Sequence, residues 1–314
     1  MRKSNIIIVS VLVMITLMFP VFCRDPYYKH VLNVAFLYAI SIYGFNIISG
    51  LTGQYNFAHA GFVGIGAYAS AILTTTYGFP VILSMITAIA VTGFWGVLIG
   101  FPALRTRGVY FALTTLGFGM ILFIFFENMI GLTGGPMGLT GIPSLKISSI
   151  GLDFSGKTSF YYLSLVVLAI AIYINCELFH SRLGRSMMAV RENEDLAVSV
   201  GISIVKTKII AFGIATMLMG LSGSLYAHYF RFISPVSFSI EETFRCLTML
   251  VVGGVGTLLG PLVGSIIFTI LPEVLRELAE FQWIIYGVVL MLCIAFMPEG
   301  LVGYINKKTG KIHQ

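Results

Sequence analysis

The sequence predicts an all-α polytopic membrane protein with about ten membrane segments, two of them a short broken or re-entrant pair near 245–274. Three observations carry that expectation. Hydrophobic residues fill 57% of the 314 positions and charged residues only 10%, against roughly 25% charged in an ordinary soluble domain. Mean hydropathy is +0.95, so too few polar side chains exist to cover a water-soluble globule of this size. The apolar residues run continuously for about 20 positions at a time, the length a helix needs to cross the hydrocarbon core, instead of alternating as in barrel strands. The same composition excludes a disordered chain. The basic residues are scattered, not striped, which argues against a nucleic-acid surface.

Residues 1–314 read as one transmembrane domain, with full-length segments near 5–23, 31–50, 57–76, 80–101, 109–130, 159–179, 209–230 and 281–298. The first follows Met1, Arg2 and Lys3, as a signal peptide would. Its exit, Phe19-Pro20-Val21-Phe22-Cys23, offers no small-residue cleavage site, so it reads as a retained span. Orientation follows from the basic residues, which favour the cytoplasmic side. With the N-terminus inside, Arg2, Lys3, Arg105, Arg107, Arg182, Arg185, Arg191, Lys206 and Lys208 lie inside, while Arg24, Lys29, Lys146, Lys157 and Arg231 lie outside.

The stretch 244–274 breaks this parity if it crosses once, because Lys307, Lys308 and Lys311 would then face out. Gly253, Gly254, Gly256, Gly260 and Pro261 interrupt it, and these are poor interior helix residues. Two short segments, 245–255 and 259–274, that enter and leave on the outer side restore the rule. Both termini are then cytoplasmic, with Arg245 and Arg276 outside. Irregular backbone at membrane depth is tolerated where protein or a water-filled cavity surrounds it.

Glycines at helical spacing, Gly96 and Gly100, then Gly256, Gly260 and Gly264, either bring helices close together or line a pathway. The outer loop 131–143, Gly-Leu-Thr-Gly-Gly-Pro-Met-Gly-Leu-Thr-Gly-Ile-Pro, is either a turn between spans or a surface where Thr133, Thr140 and the glycine amides meet a polar ligand or partner.

Span centres are nearly free of charge, which disfavours an ion-coupled carrier. His59 is expected as a satisfied interfacial histidine, and Asn33 and Asn46 as bonds between helices. No P-loop, HExxH or GxSxG pattern occurs, and Cys23, Cys176, Cys246 and Cys293 form no CxxC pair. Neither an enzyme, a cofactor nor a metal site is expected.

The inner loop 180–208 contains a candidate helix over 186–200, with Ser186 as N-cap and Gly201 as stop. Met187, Val190, Ala197 and Val200 are expected on one face. A helix lying across the inner surface between two spans is suited to transmit motion.

These residues justify a family comparison. Gly184-Arg185, Ala189-Val190-Arg191-Glu192-Asn193-Glu194 and Gly201 resemble the ATPase-contacting loop of ABC importer permeases. Four ordered stretches resemble the LivM-type permeases of branched-chain amino acid transporters: 50–68 (Gly-Leu-Thr-Gly-Gln-Tyr-Asn-Phe-Ala-His-Ala-Gly-Phe-Val-Gly-Ile-Gly-Ala-Tyr), 106–116, 132–143 and 253–261. The resemblance covers about 31–300. It implies an uptake system in the inner membrane of a bacterial or archaeal cell. There a soluble binding protein delivers leucine, isoleucine or valine. A second, LivH-type permease subunit completes the path, and two ATP-binding subunits supply the energy.

On that resemblance Gly184, Arg185, Ala189, Arg191, Glu192, Asn193, Glu194, Asp195 and Gly201 contact an ATPase. Gly53, Gln54, His59, Gly61, Gly64, Thr133, Gly134, Gly135, Gly256, Gly260 and Gly264 serve the path or helix packing. Urea permeases look like the same family, and no carboxylate or guanidinium is expected at mid-depth to greet a zwitterion. A permease for urea or another small polar solute, and a secondary carrier, stand as alternatives.

Overall fold

The computed structural model describes residues 16, 18–20, 25–106, 108–147, 152–274, 281–297 and 299–308. Nearly all of the expected first segment lies outside them. Helix α1 (Pro26–Asn46) begins ahead of the expected 31 because Asp25 caps it. The Asp25 carboxylate accepts from the Tyr27 amide at 2.8 Å, and Pro26 takes the first helical position, where its missing N–H costs nothing. A π-helical turn, Ile47–Leu51, extends α1.

In chain order there follow α2 (His59–Thr75), α3 (Val81–Ala103), α4 (Val109–Asn128), α5 (Lys157–His180), α6 (Arg182–Glu192), α7 (Glu194–Ser199), α8 (Ile204–Phe230), α9 (Ile240–Gly253), α10 (Gly260–Val274), α11 (Gln282–Phe296) and α12 (Gly300–Lys308). Among the described residues five helices are long and apolar enough to cross a membrane: α1 with its π turn, α3, α4, α5 and α8. Helices α2, α9, α10 and α11 are shorter. The chain is thus a polytopic α-helical membrane protein.

Helices α1 and α8 form the centre. Helices α2 and α3 pack on α8, and α5 and α10 on α1. The outer faces of α3, α4 and α5 expose Phe94, Leu98, Val109, Leu113, Ile121, Val166 and Ile170. Such a continuous apolar surface belongs against lipid or another subunit.

Between membrane helices there is no hydrophobic gain from water, so contact depends on close backbone approach and polar bonds. Gly66 of α2 lies directly on the Gly220 backbone of α8, with no room for a Cβ between them. Gly96 and Gly100 of α3 abut Thr216 and Phe212 of α8. The expected role of Asn33 is seen: its Nδ2 donates to Lys157 O at 3.0 Å, joining α1 to α5. Ser222 Oγ donates to Leu37 O at 2.7 Å, joining α8 to α1.

The short pair α9–α10 is an antiparallel hairpin. Its turn, 254–259, lies beside Gly50 at the far end of α1, where Tyr43 donates to Leu258 O at 2.9 Å. Helix α10 then packs back along α1. Helix α9 begins at Ile240, ahead of the expected 245, so Glu241, Glu242 and Arg245 belong to it. Gly256 sits in the turn with φ 74°, not on a helical ridge with Gly260 and Gly264 as the spacing suggested. Gly300, the first residue of α12, lies against Gly254. The turn, the end of α1 and the start of α12 therefore share one side of the molecule.

At the opposite side, Lys29 Nζ of α1 donates to Thr158 Oγ1 at the start of α5 (3.1 Å). The glycine-rich loop there is tightly folded. Strand β1 (Leu139–Thr140) pairs antiparallel with Phe232–Ile233, and Lys146–Ile147 pairs with Leu152–Asp153. Thr133 turns its hydroxyl inward to Phe126 O at 2.7 Å.

Candidate functional site

Two places gather the chemistry. The first is where α6 and α7 meet the end of α1 and the hairpin turn. Helix α6 starts at Arg182, because Ser181 caps it by accepting from the Gly184 amide at 2.9 Å. Ser186, the expected cap, instead donates back to Arg182 O. Gly184 is buried against the Leu178 carbonyl, where a Cβ would collide, so glycine permits the sharp α5–α6 turn.

The expected single helix over 186–200 is two helices. Asn193 is extended (φ −159°, ψ 114°), and its Oδ1 accepts from the amides of Asp195 and Leu196, both at 3.0 Å, to cap α7. Glu194 and Asp195 then fill the first turn, where a negative charge suits the helix dipole. Gly201, with φ 84°, ends α7 as expected. Glu194 also binds Lys208 at 2.6 Å, and the Lys208 side chain is 1% exposed, so α7 is fastened to α8.

Arg191 is exposed, and its side chain reaches across to the end of α1. Its Nη1 donates to Gly50 O at 2.5 Å, satisfying a carbonyl of the π turn. The bare Cα atoms of Gly53 and Gly256 leave room for its side chain on either side. Asn46 completes the junction, accepting from the Gly256 amide at 2.8 Å and donating to Thr257 O at 3.1 Å. One guanidinium thus links α6, the π-helical end of α1 and the hairpin turn. π turns of this kind recur at functional sites.

The opposite face of α6–α7 is open. Arg185, Glu192, Asp195, Leu196, Val198 and Val200 are exposed, while Met187, Val190 and Ala197 are buried and Ala189 is half-buried. Val200, expected on the packed face, is on the open one.

The second place is a narrow cleft of about 30 Å³, walled by α1, α2, α8 and α9 and by the 237–238 segment. Its apolar wall includes Leu37, Val63 and Phe238, and its polar groups include Tyr38, His59, Tyr226 and Glu242. Tyr38 donates to Glu242 Oε1 at 2.5 Å. Arg245 Nη1 stands 3.6 Å from Glu242 Oε2, with its guanidinium 4.9 Å over the Tyr38 ring. Tyr38 lies twelve residues into α1, about 18 Å along its axis at 1.5 Å per residue, so this charged pair sits near the middle of a core about 30 Å thick. The sequence reading expected no such charge at mid-depth and put Arg245 outside. Starting α9 five residues too late concealed it.

His59 was expected at the interface. It is instead completely buried, stacked on Phe45 with ring centroids 4.7 Å apart, and neither ring nitrogen makes a hydrogen bond among the described residues. Gln54 and Asn56, in the non-helical link before it, are also buried. The other expected residues serve packing. Gly61 abuts Leu122, and Gly64 abuts Phe126 and Phe238. Gly134 and Gly135 take positive φ in the outer loop, and Gly260 and Gly264 let α10 approach α9. Thr133 is buried and bonded internally, away from the cleft. Among the described residues no cluster of three or more His, Cys, Asp or Glu is arranged to hold a metal ion.

A sequence model described as "Branched-chain amino acid transport system / permease component" matches residues 27–297. The chain is similar to the high-affinity branched-chain amino acid transport system permease protein LivM of Salmonella typhimurium, 31% identical over 86% of this chain and 68% of the relative. LivM of Escherichia coli is 32% identical, with the same shares covered. LivH, the permease protein of the same name series in Salmonella typhimurium, is 25% identical over 85% of this chain and 91% of the relative. No solved structure matches the chain.

Proposed function

The chain belongs to the branched-chain amino acid transport permease family, is a transport subunit and not an enzyme, and we propose how it couples transport to an external source of energy. It is the permease subunit of an ABC importer for leucine, isoleucine and valine. A LivH-type subunit pairs with it, two ATP-binding subunits dock on α6–α7, and a soluble binding protein delivers the amino acid. It lies in the inner membrane of a bacterial or archaeal cell with about ten membrane segments and both termini in the cytoplasm. Arg191, with Lys307 and Lys308 beside the same end of the bundle, supports that orientation through the bias of basic residues to the cytoplasmic side.

The observation that carries the coupling is the Arg191–Gly50 bond. The exposed face of α6–α7 mixes apolar side chains (Leu196, Val198, Val200) with Glu192, Asp195 and Arg185, the composition of a partner-docking surface. At the end of α6 the exposed Arg191 is bonded to the π turn and lies against the α9–α10 turn. Movement of a docked ATPase therefore reaches the hairpin by way of Arg191, the π turn and Asn46. Nucleotide shifts the permease between two states only by binding the ATPase dimer differently in each, and a rigid link of this kind conveys that difference. Cysteines placed at Leu196 or Val198 are expected to cross-link to the ATP-binding subunit. Labelling of those cysteines by an external, membrane-impermeant reagent in intact cells would overturn the reading.

A further inference from the structure

We infer that Glu242 and His59 form a transient binding site for the charged end of a zwitterionic apolar amino acid within the mid-depth cleft, Glu242 taking the α-ammonium and His59 the α-carboxylate. The inference rests on the permease reading and adds the residues that touch the solute.

A carboxylate near the bilayer centre is expensive, and such groups are kept where they serve a path or a ligand. Glu242 is only partly spoken for. Its Oε1 accepts a short bond from Tyr38, whereas Arg245 stands off Oε2 at 3.6 Å, beyond good hydrogen-bond distance. An ionised carboxylate has about four acceptor positions, and the Glu242 side chain, 20% exposed, opens onto the cleft. An ammonium with three donors fits the remaining positions.

His59 is the independent observation. A neutral imidazole always has one N–H to give, and here a fully buried ring lining the same cleft gives it to nothing among the described residues. Buried polar groups without a partner are uncommon and call for a ligand or water. His59 is also the first residue of α2, and its N-cap, Ala58, supplies no side-chain oxygen, so the positive end of a 17-residue helix faces the same place. Both features suit an anion.

The two halves are held together. The Ala60 amide donates to Thr243 Oγ1 at 3.1 Å, bonding the residues immediately next to His59 and Glu242. The cleft, about 30 Å³ in this state, must widen to admit the solute, and Leu37, Val63 and Phe238 then supply the apolar wall for a branched side chain. Of the three serines lining the cleft, Ser41 and Ser222 already donate to Tyr38 O and Leu37 O. An uncharged polar solute would bring no ammonium to the acceptor positions of Glu242 that Tyr38 and Arg245 leave open, so the site favours a zwitterion.

The test uses the complete importer in proteoliposomes, with the permease pair, ATP-binding subunits and binding protein, and radiolabelled leucine as the probe. Leucine uptake per ATP hydrolysed is measured for wild type, Glu242→Gln and His59→Phe. Phenylalanine keeps the stack on Phe45 and removes two unpartnered nitrogens. The structure therefore expects His59→Phe to keep or raise thermal stability and still to lose uptake. Both variants are expected to fall by about tenfold or more, the loss of one charged hydrogen bond. Wild-type uptake per ATP in an assembled variant of either residue overturns the assignment. Absence of leucine uptake by the wild-type complex overturns the permease reading instead. Should Glu242→Gln not assemble, Glu242→Asp decides: reduced uptake per ATP supports the site, and wild-type uptake overturns it.

Discussion

Arg191 and Gly50, 141 positions apart in the sequence, are joined by one hydrogen bond of 2.5 Å between Nη1 and the carbonyl. The bond ties a surface helix to the only π-helical turn among the described residues and, through Asn46, to the α9–α10 turn. Arg191→Lys keeps the charge but loses the planar fork. Leucine uptake by the reconstituted importer is expected to fall several-fold, with complex assembly unchanged on gel filtration.

Asn46 makes two bonds to the hairpin turn, to the Gly256 amide and to Thr257 O. Asn46→Leu leaves both backbone groups unpaired, at about 1–3 kcal/mol each. Hydrogen exchange at the Gly256 amide is expected to rise sharply while the amides of α8 stay protected. Unchanged exchange at Gly256 would show that the turn is held by other contacts.

The buried Lys208 pairs with the partly buried Glu194. Glu194→Ala strands the Lys208 ammonium, and breaking such a pair from one side costs about 3–5 kcal/mol. Replacing both, Lys208→Met with Glu194→Leu, is expected to recover most of that loss. Thermal melts of the purified protein in detergent give both numbers.

Gly66 touches the Gly220 backbone where α2 crosses α8. Gly66→Leu is expected to destabilise by about 1–3 kcal/mol through overpacking. The same change at Gly117, which has open space around it, is expected to be nearly silent in the same melt.

The outer hairpin carries a pH marker. The Lys146 hydrogen bond, with those from Ser155, holds the exposed Asp153 carboxyl at about 2, below its ordinary 3.8. A depressed acid contributes above its unfolded value and loses that contribution as pH falls through the folded one. The Lys146–Asp153 pairing is therefore expected to hold from neutral pH down to about 4 and to loosen between about 4 and 2. The Phe154 amide, bonded to Leu145 O, reports this by hydrogen exchange.

Much of this was legible in the sequence because it is local. Continuous apolar runs gave the long helices, the glycine run gave the break at 254–259, and Gly201 gave the end of α7. Asn193 before Glu194 and Asp195 also carried a legible signal, a capping residue ahead of first-turn acids, which a single helix over 186–200 passed over. The Tyr38–Glu242–Arg245 cluster was not legible. Its bond joins residues 204 positions apart, and hydropathy sees Glu241, Glu242 and Arg245 only as a polar loop. The Arg191–Gly50 bond was hidden for a related reason. Arg191 is exposed, as its charge suggests, while its partner is a backbone carbonyl freed by a π turn that no side-chain pattern announces.

The central claim, that α6 drives the hairpin through Arg191, is tested most directly by the ratio of leucine imported to ATP hydrolysed in proteoliposomes carrying Arg191→Ala. The account predicts that hydrolysis continues and the ratio drops by about tenfold, the loss of one charged hydrogen bond. A wild-type ratio in the assembled variant would contradict it.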